Sequence, residues 1–147
     1  MQITFALPHV FYPGSNPVEN ARTLRILLDA LISIDETFLK HHTVPGLYQS
    51  GVVYGRTQIW DSIPALYSRG FGDCKSLTAA LVAQYRAQGK TAQPVFRWAK
   101  RSDGSGATDY HILVQTADGF EDPSKVLGMG ANENAYFPGH ERRRMVK

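Results

Sequence analysis

A single cysteine, Cys74, stands among 147 residues, so no internal disulfide can form and a reducing compartment is expected. No apolar run approaches the ~18 residues that read as a membrane span, so no membrane partner is expected. Residues 1–15 lack a basic region ahead of an apolar stretch and do not read as a secretory signal. Basic excess is small, 16 Lys and Arg against 13 Asp and Glu, and the chain has neither a recognised nucleic-acid motif nor a basic aromatic face. His41 and His42 have no further ligands at metal-binding spacing, so no metal is expected, and nothing implies an organic cofactor. Internal repeats are absent and no linker is long enough to divide the chain, which predicts one domain over residues 1–147. Residues 138–147 carry Glu141-Arg142-Arg143-Arg144 and read as a solvated basic tail, with phosphate binding a second reading.

What the chain does have is 43% hydrophobic residues in regular patterns. Asn16, Pro17 and Glu19 form a helix start, and Leu24, Leu27, Leu28, Leu31, Ile34 and Phe38 recur at helical steps, predicting one amphipathic helix from about Pro17 to Lys40. Residues 2–6 favour a short strand or a cover for the core. Val44-Pro45-Gly46 begins a long connection through Tyr54 and Trp60 to a short helical piece near Pro64–Tyr67, and it suits the wall of a cleft. Later, Val95–Lys100, Asp109–Gln115 and Phe120–Asp122 read as three strands, with Phe96 and Trp98 on one face of the first and Val95, Arg97 and Ala99 on the other. Residues 101–108 read as a polar, glycine-rich loop at the mouth of the site, and the chain beyond Lys125 as an irregular wrap.

The chemistry gathers at Gly70–Gly89. Asp73 is a good N-cap, Leu77, Ala80, Leu81 and Tyr85 follow at helical spacing, and Gly89 suits the C′ position. Cys74 is thereby placed in the first turn, where free N–H groups and the helix dipole favour a thiolate. Taken alone, a lone cysteine is more often a small buried apolar residue. Its partners change that: His111 lies on a strand and Asp122 just before Pro123, in the order nucleophile, base, orienting carboxylate. Asp118 and Asp109 are the other carboxylates near the histidine, and Asp109, two residues away on one strand, stands about 7 Å off. Gln49 and Gln58 are candidate oxyanion donors, behind the backbone N–H of Cys74 itself.

Gly72-Asp73-Cys74 at a helix start, the leucine run to Gly89, His111-Ile112-Leu113-Val114 on a strand and Asp122-Pro123 together resemble the core of the transglutaminase-like cysteine enzymes. Leu47–Tyr54 and Trp60-Asp61 ahead of the cysteine are similar to segments of small phage-encoded members. The resemblance covers roughly residues 45–125 and implies an α+β fold with a papain/transglutaminase-like core. The cysteine-bearing helix would pack on a small antiparallel sheet, with the long amphipathic helix an addition. It implies Cys74, His111 and Asp122 as a catalytic triad for thiol-dependent acyl transfer, chiefly amide or peptide hydrolysis, with protein-glutamine transamidation as the alternative. Substrates would be proteins or peptides, phage structural or host proteins among them, in the cytoplasm of a bacterial host or in the virion. One departure is Lys75, where many relatives carry an acid. A virion or prophage structural protein that keeps the fold with a buried, inert cysteine is the reading from another class. A nucleic-acid binder using the tail is a third, and would bind with a steep salt dependence.

The hairpin after His111 tests the assignment. A two-residue turn at Asp118-Gly119 pairs Gln115 with Asp122 and leaves Asp122 four residues from His111 along the face, on the order of 13 Å. A four-residue loop, Gln115–Asp118, pairs Val114 with Gly119 and sets His111 directly opposite Asp122. The wider loop, or a bulge of the same effect, is the expectation.

Overall fold

In the computed structural model, residues 1–12, 14–100, 104–106 and 108–130 are described. The expected basic tail, most of the wrap before it, and residues 101–103 and 107 of the loop lie outside them.

Helix α1, Pro17–His41, begins where the Asn16 side chain accepts from the N–H groups of Val18 and Glu19, at 2.9 and 3.2 Å. Its buried line is Leu24, Leu28, Leu31, Ile32 and Asp35. Ile34, expected in that stripe, is instead 56% exposed, because the buried line runs through Ile32 and Asp35 and turns Ile34 outward. Residues 2–6 form neither strand nor cover; all are exposed.

The connection contains a 3₁₀ turn at Leu47–Gln49 and β1, Val53–Tyr54. Helix α2, Ile63–Arg69, ends on Gly70 in the left-handed region (φ 83), and β2, Phe71–Gly72, then pairs with β1 in parallel. That two-residue parallel ladder carries no sequence signal. Gly72 is confined by packing, since a Cβ there would meet Leu66 Cδ1 at 2.6 Å. Helix α3, Cys74–Ala87, is buried continuously from Ser76 to Gln84 and packs between α1 and the main sheet. The sheet is antiparallel, in the order β3 (Ala92–Lys100), β4 (Thr108–Thr116), β5 (Gly119–Glu121), and a short helix, α4 (Pro123–Val126), follows. The fold is α+β, and none of its described helices is long and apolar enough to cross a membrane. One core joins Leu28 and Ile32 of α1, Ile63 and Leu66 of α2, Leu77 to Ala83 of α3, and Ile112 and Val114 of β4.

Within this core lies an acid. Asp35 Oδ1 accepts from the Ile63 N–H at 2.7 Å and so caps α2 from another helix, while Oδ2 has no hydrogen-bond partner. Burial pushes the carboxyl from 3.8 up to about 7, against the opposing pull of the Ile63 bond. A carboxyl that holds its proton better folded than unfolded makes stability fall as pH rises from about 4 through about 7. Asp35→Asn, which keeps an oxygen for Ile63, should therefore flatten the loss of melting temperature between about pH 5 and about pH 8. Other groups titrate equally in both proteins, so equal slopes for the two would show that Asp35 does not carry this dependence.

Candidate active site

Cys74 is delivered to the site by three local devices. Gly70 turns the chain out of α2, Gly72 lets it pass close to Leu66, and Asp73 caps α3 by accepting from the Lys75 N–H at 3.1 Å. The thiol, the one free cysteine, is half-buried at the first position of α3. A loop is stitched over this helix end. Ser76 Oγ accepts from the Asp61 N–H at 2.9 Å, and Asp61 in turn binds Arg69 Nε at 2.6 Å. Lys75 Nζ bonds the Asp73 carboxylate and the Thr57 carbonyl, the latter at 3.0 Å, and lies 5.8 Å from the centre of the Trp60 ring. Burial raises the Asp73 carboxyl above its ordinary range, and the charge and hydrogen bonds of Lys75 oppose that rise. Trp60 and Tyr54 are half-buried against the core.

His111 and Asp122 meet directly. His111 Nε2 lies 2.7 Å from Asp122 Oδ2, with the two residues 4% and 3% exposed, so the contact is nearly out of water. Asp122 serves a second partner: its Oδ1 accepts from the Lys125 N–H at 3.2 Å and caps α4. Burial by itself would depress the imidazolium. Hydrogen bonds to Asp122 and to Cys74, with the attraction of both, outweigh it and raise His111 from 6.5 to about 9.

The hairpin corrects the sequence reading. Thr116 pairs with Gly119 and Val114 with Glu121, so the loop is Ala117-Asp118, neither Asp118-Gly119 nor the expected four residues. Gly119, at φ 124, takes the first strand position, where a side chain would be strained, and the Asp118 N–H donates to Thr116 Oγ1 at 3.2 Å. Asp122 is then diagonal to His111 instead of opposite it, a separation aromatic and long side chains bridge. It also lies outside the third strand, as the cap of α4.

Other candidates fall elsewhere. Asp118 is an exposed turn residue, and Gln58 is exposed. Gln49 folds back on its own turn, with Oε1 2.6 Å from where a Cβ on Gly46 would stand. Asp109 shares the His111 side of β4, and the ring's bond is to Asp122. Sequence reasoning missed Glu121. It is 4% exposed and accepts from Tyr48 Oη and from Tyr85 Oη, the latter at 2.9 Å, which fixes the strand immediately before Asp122. No spacing signal could have found it, since Tyr48 lies 73 positions away.

Imidazole and carboxylate are thus hydrogen-bonded, and the thiol adds to the attraction that holds the imidazolium, a set of groups able to activate a sulfur nucleophile and move its proton. Among the described residues no three His, Cys, Asp or Glu side chains converge to hold a metal ion. No protein-family model, no curated protein and no solved structure matches the chain.

Two predictions follow from this geometry. The imidazole of His111, followed by NMR, should titrate near pH 9 in the wild type, and Asp122→Asn should lower that midpoint. The raised value means that the pair's contribution to stability is full below about pH 6.5 and lost as pH rises through about 9; an unshifted midpoint in the variant would refute it. Lys75→Met should leave the buried Asp73 carboxylate without its cation. That loss is on the order of 3 kcal/mol in urea unfolding at neutral pH, and a variant as stable as wild type would exclude a stabilising role for the pair.

Proposed function

We propose that this protein is a thiol-dependent acyl-transfer enzyme that hydrolyses amide or peptide bonds, with Cys74 as nucleophile, His111 as general base and acid, and Asp122 as the group that orients the imidazole. The observation that carries the reading is the buried 2.7 Å contact between His111 and Asp122, with Cys74 at a helix N-terminus adding to the attraction that raises the same imidazole. The order of the elements and the motifs around them support a papain/transglutaminase-like core.

In the first half-reaction the Cys74 proton resides on His111, and the sulfur attacks the amide carbon. Negative charge forms on the carbonyl oxygen, where the backbone N–H of Cys74 is the nearest donor the helix start offers. As the C–N bond breaks, His111 gives its proton to the departing nitrogen and a thioester remains. Asp122 stabilises the imidazolium without taking its proton. His111 then takes a proton from water, the oxygen attacks the thioester, and the thiol is regenerated. A protein amine in place of water gives the transamidase alternative. The resemblance to small phage-encoded enzymes favours hydrolysis of protein or peptide substrates within a bacterial host or a virion.

Alkylation by iodoacetamide separates this from an inert structural cysteine. Wild-type Cys74 should label faster at neutral pH than a free thiol, and His111→Ala should slow that labelling. Slow labelling of the native protein, or a rate indifferent to His111→Ala, would assign Cys74 a structural role.

A further inference from the structure

Across the β3–β4 ladder the direct partner of His111 is Arg97, so the two side chains leave the sheet on one face. The next pair on that face is Val95 with Leu113, and Leu113 is fully buried. Arg97 is half-buried, and its guanidinium lies 5.3 Å from the centre of the Phe120 ring on β5. Its one hydrogen bond in the described structure is a long one, 3.4 Å, to the Phe96 carbonyl. Among the described residues it forms no ion pair with a carboxylate. Asp122, on the same face, is committed to His111 and to the Lys125 N–H.

A braced guanidinium with unused donors, on a side chain that leaves the sheet on the same face as His111, has a direct chemical use. The departing nitrogen of the substrate must lie at His111, which protonates it, so the residue bearing that nitrogen lies along the same face. We propose that Arg97 determines specificity by binding a carboxylate on the leaving-group side of the scissile amide. The planar fork of an arginine suits a carboxylate through two parallel N–H bonds, and partial burial strengthens them. The carboxylate is either an acidic side chain or the end of the peptide. This inference rests on the acyl-transfer reading above.

Three alkylating probes of one size test it: N-iodoacetyl-glutamine amide, which is neutral; N-iodoacetyl-glutamate α-amide, with a side-chain carboxylate; and N-iodoacetyl-glutamine, with a main-chain carboxylate. In wild type at least one anionic probe should label Cys74 about tenfold faster than the neutral one, the scale of one charge-assisted bond, and the preferred anion identifies the source. The rate ratio is internal to each protein, so changes in thiol reactivity cancel. Arg97→Gln should bring the ratio close to one, and Arg97→Lys should retain part of it. In wild type the preference should also shrink at high salt. Fast labelling with no anionic preference, or a preference that survives Arg97→Gln, overturns the assignment of Arg97 alone. A Cys74 that all three probes label no faster than an ordinary thiol overturns the acyl-transfer reading and this inference with it.

Discussion

Two groups almost out of water, His111 and Asp122, face each other at 2.7 Å, and much of the surrounding structure exists to make that contact tolerable. Burying either charge alone would cost several kcal/mol, and the cost is offset only when the remaining polar atoms are also satisfied. On the carboxylate they are: Asp122 Oδ1 has the Lys125 N–H and Oδ2 has the ring. The same carboxylate begins α4, and the end of that helix is tied to β1 through the Tyr54 N–H and the Leu127 carbonyl at 2.8 Å. Local folding of the chain after β5 and the orientation of the imidazole therefore depend on one side chain.

What fixes Asp122 in place is not local. The three hairpin registers considered for β4 and β5 differ by steps of two, so each leaves Asp122 on the His111 face and only its offset along the strand changes. The observed offset agrees with Glu121, whose carboxylate is held by tyrosines from the 3₁₀ turn and from α3. Moving β5 by two residues would take Glu121 away from both hydroxyls and bury its charge unpaired. The hairpin is thus set by a polar anchor reaching across the core more than by the preference of its own turn.

This distinction explains which parts of the molecule could be read from sequence. Helices α1 and α3 were legible because their signals are local: Asn16 and Asp73 as caps, Gly89 beyond the end of α3, and leucines at helical spacing. The three strand segments were legible from their residues, and the face shared by His111 and Asp122 followed from the two-residue period of a strand in either hairpin register expected. The offset along the hairpin was not, since it depends on Tyr48 and Tyr85. Nor was the parallel pairing of Val53-Tyr54 with Phe71-Gly72, which is too short to carry a pattern. Ile34 misled for a related reason: periodicity gives a stripe of roughly the right width, while the neighbours of the helix decide where its edges fall, and here they bury Asp35 in preference.

The charges nearest Cys74 are arranged in compensating pairs. Asp73 precedes the thiol and by itself would oppose a negative sulfur, but its carboxylate is bonded to Lys75. Asp61, on the loop laid over the same helix turn, is bonded to Arg69. With both acids paired to cations, the charge of neither is left to act alone on the helix start that carries Cys74. Lys75 therefore has a definite place in this arrangement. It neutralises the acid that precedes Cys74 and, through Thr57 and Trp60, holds the loop that lies over the helix start.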